Sequence, residues 1–314
     1  MATHPARPSG TTLAAFAGTV VIGGANYIAV KFSNQELDPL SGAALRFLGA
    51  AILLFLICAI GRYPMPRDRA AIGAAIYGLL GFGLSYALVY YAIVGLGAGP
   101  TAVIVGAVPL ATLLLAALHR QETLTVRGIA GGLLALVGIA ILSIGSLDAD
   151  LEPSYVIAAV VAVISIAESS VVIKGFPKTH PMSTNAVAMA VGALFLVVGS
   201  FLFDQRWALP TSARTWAALT WLVVVGSVGL FWLFLYVIER WTASATVYVL
   251  ALMPVVAVIL GAFFADEAIT TELVVGGALV LCAVYIGALR SKPQDAPAAV
   301  PETGTLQAAP EPAE

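Results

Sequence analysis

Charge is scarce in this chain. Only 10% of its 314 residues are Asp, Glu, Lys or Arg, against 60% hydrophobic, and the mean hydropathy is +0.98. A soluble domain covers its surface with about 25% charge, so a water-soluble enzyme or binding module is excluded. The net charge of −2 lacks the basic footprint that nucleic acid demands, and no nucleic-acid partner is expected. Histidine and cysteine are nearly missing too. His4, His119 and His180 fall in tails or loops, and Cys58 and Cys282 stand alone in apolar runs. There is no C-x-x-C, no H-E-x-x-H, no nucleophile elbow and no P-loop. Disulfide frameworks, zinc sites and an ATP-driven pump are excluded on these grounds. A membrane-embedded enzyme or a scaffold is left as a remote alternative. The chain is read as a non-enzyme, with no metal and no cofactor expected.

What it has in abundance is uninterrupted apolar sequence. A helical span needs about 20 mostly apolar residues, and ten such stretches occur. They run roughly over 12–31, 41–61, 70–95, 100–118, 128–146, 154–174, 183–203, 215–238, 243–264 and 273–289. The runs are continuous rather than alternating, which argues against a β-barrel. The expected fold is an all-α polytopic membrane protein of ten transmembrane helices in a lipid bilayer. Residues 1–11 read as a polar tail, and 291–314, with five of the 17 prolines, as a disordered one. The first apolar run reads as a true span rather than a cleaved signal, because it is too long.

Lysine and arginine orient the spans. If each span switches sides, the side holding the N-terminus receives 11 of the 15 basic residues. The other side receives Lys31, Arg206 and Arg214, and Arg46 lies within a span. This bias places the N-terminal side, and with an even span number both termini, in the cytoplasm.

The two halves of the chain repeat. A shift of 145 residues lays Thr101 on Thr246, Pro109 on Pro254, Glu122 on Glu267, Thr125 on Thr270 and Gly131-Gly132 on Gly276-Gly277. Tyr86 falls on Phe231 and Tyr91 on Tyr236, and a shift of 143 lays Lys31 on Lys174. The expected organisation is a first repeat over 12–146, a linker over 147–153 and a second repeat over 154–290. Five spans per repeat is an odd number, so the copies must have inverted topology. Inverted repeats mark transporters that hold substrate near the midplane between the copies. Pro109 and Pro254 are the two prolines placed mid-span, so kinks are expected that free the carbonyls of Val105 and Leu250. In lipid those groups need a neighbour or a wet cavity, which suits hinges in a cavity that rocks open on alternate sides.

The segments "GGANYIAVKFSNQELDPLSGAALRFLGAAILL" and "AIVGLGAGPTAVIVGAVPLATLLLAALHRQETLTVRGIAGGLLALVGIAIL" resemble one EamA repeat. Residues 154–289, ending "PVVAVILGAFFADEAITTELVVGGALVL", resemble a second. The resemblance spans nearly the whole chain and points to the EamA branch of the drug/metabolite transporter superfamily. It implies a central cavity ringed by spans 1–4 and 6–9, with spans 5 and 10 peripheral. It also implies a permease of small metabolites in a bacterial inner membrane, many relatives exporting amino acids and some exchanging protons. The chain departs from common relatives in its first span, which reads Gly-Gly-Ala-Asn where many carry tryptophan.

Few residues can carry transport. Glu168, well inside span six, is the candidate for proton coupling, since an intramembrane carboxyl is functional by default. Ser165, Ser169 and Ser170 stand ready to hydrogen-bond it, and a structural ion pair is the competing reading. Arg46 either holds a substrate carboxylate by a bidentate pair or snorkels outward to headgroups, and outward is the favoured reading. Lys31 and Lys174 end spans 1 and 6 on opposite sides and are gate candidates. Asn26, Tyr27, Tyr86, Tyr90, Trp232, Tyr236 and Tyr248 are candidate cavity residues, offering π-faces with a hydroxyl or amide. Gly128 and Gly132 have the spacing that lets helices approach. The favoured cargo is an exported amino acid or similar zwitterionic or neutral metabolite, moved by alternating access with protons as the candidate coupling ion. A proton-coupled multidrug pump for organic cations is the alternative. There, Glu168 with an aromatic wall forms the cation site, topologically comparable to the first-helix glutamate of small multidrug transporters. A monomer is the expected working unit.

Overall fold

The computed structural model describes residues 8–96, 98–142, 152–264 and 271–289. The first half contains α1 (Gly10–Ser33), α2 (Pro39–Gly61), α3 (Asp68–Gly78), α4 (Ser85–Leu96), α5 (Ala98–Val105), α6 (Val108–Leu118) and α7 (Val126–Leu142). The second contains α8 (Pro153–Gly175), α9 (Pro181–Leu202), α10 (Ala213–Val223), α11 (Leu230–Arg240), α12 (Ala243–Thr246), α13 (Tyr248–Phe264) and α14 (Thr271–Val284). Among the described residues seven spans are long and apolar enough to cross a membrane, and three shorter apolar helices, Val126–Leu142, Ala243–Ala257 and Val274–Leu289, bring the total to ten. No strand occurs among the described residues.

Local chemistry sets the helix starts. Pro39, Pro153 and Pro181 open α2, α8 and α9, where a missing N–H costs nothing. Ser9, Ser212 and Thr242 cap α1, α10 and α12 by accepting from the N–H groups of Thr12, Thr215 and Ala245. Outside the spans, Gln205 accepts from the N–H groups of Leu40 at 2.7 Å and Ser41 at 3.2 Å. Glu36 accepts from the Thr211 N–H at 2.5 Å and the Ser212 N–H. Each of these loops thus caps a helix of the other repeat.

Two π-helical turns interrupt the long spans, and a third, Tyr285–Leu289, closes the last helix. Leu79–Leu84 joins α3 to α4, and Val224–Gly229 joins α10 to α11. The 145-residue offset carries one onto the other, Gly81 onto Gly226. Each wide turn adds a residue and leaves a main-chain carbonyl without its helical donor. Sequence reading missed both. The Gly-rich stretches at Gly81-Phe82-Gly83 and Gly226-Ser227-Val228-Gly229 were their signal.

The prolines behave unequally. Pro109 does not kink a continuous helix. The fourth span breaks at Gly106-Ala107, and Pro109 sits in the first turn of α6, so no carbonyl is freed by a ring inside a helix. Pro254 does lie inside α13, as expected, and there the break comes earlier, at Val247 between α12 and α13.

Spans 5 and 10 pair closely. A Cβ on Gly138 would stand 3.0 Å from the Gly276 carbonyl, and one on Gly276 would stand 2.7 Å from the Gly138 carbonyl. Gly131 abuts Gly287 in the same way. Gly128 and Gly132 instead receive Leu113 and Leu110 of α6. Elsewhere α2 packs along α9, α1 along α10, α11 and α13, and α4 along α8. Glu267, Thr270 and the C-terminal tail lie outside the described residues.

Candidate functional site

The polar centre of the bundle is built around the second π turn. The freed Gly226 carbonyl accepts two side-chain bonds, from Asn26 Nδ2 at 3.0 Å and from Arg46 Nη2 at 2.8 Å. Arg46 Nε donates to Ser227 Oγ at 2.7 Å. Trp221 Nε1 donates to Asn26 Oδ1 at 3.1 Å. Asn26, Arg46 and Ser227 are all buried. Arg46 lies about 10 Å along α2 by the 1.5 Å rise per residue and points inward, 5% exposed. The outward, headgroup-facing reading of Arg46 is therefore corrected: the π turn presents a carbonyl that draws the guanidinium in.

An aromatic wall adjoins this centre. The Arg46 guanidinium carbon stands 5.9 Å from the Tyr86 ring and 5.1 Å from that of Phe47. Tyr86 meets Phe47 edge-on at 4.9 Å and Tyr90 at 6.4 Å. Tyr27 is 55% exposed although α1 packs closely on α10, α11 and α13, with no comparable packing on α4. Tyr86 and Tyr90 are half-buried, so this wall keeps open ring faces beside Arg46.

The structure takes three expected cavity residues elsewhere. Tyr248 is buried with its hydroxyl lodged against Gly131 and Gly287, between α7 and the last helix. Tyr236 is covered by Arg240, whose guanidinium carbon lies 3.7 Å from its ring, with Trp232 exposed beside it. The inward ring of that helix is Phe231, the repeat counterpart of Tyr86, which meets Phe82 at 4.5 Å. Helical phase explains the change, because Leu230, Phe234 and Ile238 form the buried face of α11 and Trp232 falls opposite.

Glu168 is likewise not at this polar centre. Its Oε1 pairs with His119 Nε2 at 3.1 Å, and both side chains are partly exposed. His119 ends α6, which puts the pair near that end of the bundle. Ser169 and Ser170 donate to the Ile166 carbonyl of their own helix rather than to Glu168.

Lys174 ties helices together at the same end. Its Nζ donates to the carbonyls of Ile238, at 2.8 Å, and Trp241, which close α11. Glu122 accepts from the Ser244 N–H at 3.1 Å and from the Ser244 hydroxyl, capping α12. Gln121 Nε2 donates to the Val171 carbonyl at 2.9 Å. Span six, span eight, the start of span nine and the loop after span four are thus joined. Lys31 sits exposed in the last turn of α1.

Two five-helix repeats that meet at a buried polar centre define a polytopic α-helical membrane protein. The EamA-like transporter family model matches residues 10–144 and again 153–288, and the chain belongs to that family. It is 26% identical over 275 residues to an uncharacterized transporter of Archaeoglobus fulgidus, covering 85% of this chain and 95% of the relative. It is 26% identical over 268 residues to the uncharacterized inner membrane transporter YedA of Escherichia coli strain K12, covering 85% and 87%. It is 27% identical over 276 residues to the uncharacterized transporter YoaV of Bacillus subtilis, covering 85% and 92%. A solved crystal structure shares the fold with a TM-score of 0.74 at 17% identity, over 90% of this chain and 98% of that one.

Proposed function

We propose that this membrane transporter is a secondary carrier of the inner membrane that exports amino acids or similar small zwitterionic metabolites by alternating access. The observation that carries the reading is the buried polar centre where the two repeats meet, which we take as the floor of a substrate chamber between α1, α2 and α4. Asn26 and Arg46 of the first repeat both donate to the Gly226 carbonyl of the second, beside Tyr86 and Tyr90, while Lys174 ties α8 to the end of α11 at the far end. A chamber closed at one end, between two inverted copies of one unit, is what alternating access needs. Lys174 is the gate residue at the closed end, and Lys31 is its counterpart at the other. A proton is the coupling ion in this reading, and the His119–Glu168 pair is its site.

The charge distribution disfavours the cation-efflux alternative. The chamber holds a guanidinium, and the carboxylate that an organic cation would seek is engaged with His119. The test is a proteoliposome screen of charge movement at symmetric pH, with amino acids and organic cations on one panel and radiolabel counterflow beside it. Currents or counterflow with amino acids support the reading. Responses to lipophilic cations alone would replace it with multidrug efflux. Glu168→Gln should abolish uptake driven by a pH gradient while counterflow persists, and unchanged pH-driven uptake removes Glu168 from the mechanism.

A further inference from the structure

We infer that Arg46 is an anion anchor, and that the cargo of this carrier has a single carboxylate seated on its free guanidinium edge. The inference rests on the chamber being the transport path.

The argument starts from what Arg46 is not needed for. The π turn leaves the Gly226 carbonyl in want of a donor, but Asn26 already supplies one at 3.0 Å. In the first repeat the same carbonyl, that of Gly81, is served by the Ser85 hydroxyl alone, at 2.8 Å. A neutral group therefore suffices to cap this turn. The repeat also shows that the cation is an addition. The starts of α2 and α9, Pro39-Leu40-Ser41 and Pro181-Met182-Ser183, align and make Ala188 the counterpart of Arg46. The scaffold folds the same helix pair with alanine at that position.

Burying a guanidinium in a membrane span is costly unless an opposite charge meets it. Among the described residues no carboxylate pairs with Arg46, and only Nε and Nη2 reach acceptors, Ser227 Oγ and the Gly226 carbonyl. Both acceptors are neutral. Guanidinium has five N–H groups; those left over make no hydrogen bond among the described residues, and the guanidinium carbon stands 5.9 Å from the Tyr86 ring. A carboxylate accepts two parallel N–H bonds from such an edge. Phosphate monoesters fit poorly, since one cation leaves half of a double charge uncompensated. The tyrosine rings suit an apolar or aromatic body attached to the carboxylate.

The experiment uses matched ligands and the full chain in detergent. Leucine and phenylalanine, their amides, their decarboxylated amines, and 4-methylpentanoate and phenylpropionate are titrated, with thermal stabilisation as the binding readout. The expected result is stabilisation by at least one carboxylate and none by its amide or amine. Arg46→Lys should weaken that binding about tenfold or more, because the two-pronged edge is lost, and Arg46→Gln should abolish it. Both variants should fold, since Asn26 still caps Gly226. Asn26→Ala, which loosens the turn but leaves the charge, should retain the preference for acid over amide. The anchor is overturned if amides bind as well as acids, if no carboxylate binds the wild-type chain, or if Arg46→Gln leaves carboxylate affinity unchanged. Counterflow in liposomes separates the two readings. Transport of uncharged or cationic compounds unaffected by Arg46→Gln leaves the carrier standing without the anchor. Carboxylate binding with no compound crossing the bilayer leaves the anchor standing without the carrier.

Discussion

Replacing Gly226 with alanine tests whether the second π turn is held as the structure describes. A Cβ there would overlap the Asn26 carboxamide, whose Cγ and Nδ2 would lie only 2.9 Å away. Asn26 must then withdraw, losing its bond to the Gly226 carbonyl and the bond from Trp221. Overpacking of this kind costs about 1–3 kcal/mol, and two polar bonds within a membrane bundle add about 0.6 kcal/mol each. The better helix propensity of alanine offsets roughly 1 kcal/mol. The net expectation is a destabilisation of about 1–3 kcal/mol. Two internal comparisons sharpen it. At Gly229, in the same turn, a Cβ meets nothing closer than 3.7 Å, so Gly229→Ala should be neutral or stabilising. At Gly81, the counterpart of Gly226, the nearest atom is Ser169 Oγ at 3.1 Å, and a small hydroxyl can yield. The assay is reversible unfolding in mixed micelles followed by tryptophan fluorescence, with Asn26→Ala and the double variant completing a cycle. The double variant should cost less than the sum of the two singles. Equal stabilities for Gly226→Ala and Gly229→Ala, or strict additivity in the cycle, would refute the reasoning.

Three further outcomes are expected. The Ser212 side chain, followed by the Thr211 N–H, holds the Glu36 carboxyl at about 2, below its ordinary 4.5. A depressed carboxyl adds stability that is complete above the unfolded value and is lost as pH falls from about 4.5 to about 2. Glu36→Gln should therefore lower Tm at pH 7 and flatten its fall over that window, measured by thermal melts across pH. Lys174→Met removes the donor from the Ile238 and Trp241 carbonyls, about 1 kcal/mol each, and should shift the closed end toward opening by a factor of about 5–30. Maleimide labelling of a cysteine placed at Ser244 reads this shift, and unchanged labelling contradicts it. Gly138→Leu should push α7 from α14, since its Cβ already meets the Gly276 carbonyl at 3.0 Å and Val280 Cγ2 at 2.8 Å. Gly128→Ala meets only movable Leu113 and Thr125 side-chain atoms and should cost far less. Thermal melts of the two variants decide.

Apolar run length and the 145-residue offset determined the all-α class, ten spans and two inverted repeats, because those properties are written along the chain. Lipid leaves the backbone no option but helices, so a run of apolar residues is already a structure. The close approaches of Gly131 to Gly287 and of Gly138 to Gly276 were not read from the sequence, which pointed to Gly128 and Gly132 instead. Which side chains meet was not legible, because helical phase at a π turn shifts by an extra residue and redirects every side chain that follows. That shift turned Phe231 inward and Trp232 outward, and it created the carbonyl that draws Asn26 and Arg46 together across nearly 200 residues of sequence. The partner of Glu168 was hidden for a related reason. The position of Glu168 within an apolar run measures depth along one helix, whereas its partner, His119, comes from the end of another. The sequence by itself determined the helices, their number and their inverted duplication. Only the tertiary structure decided which of the few polar groups share the buried polar centre and which are spent holding helices together, since that depends on rotation about helix axes, and composition carries no record of it.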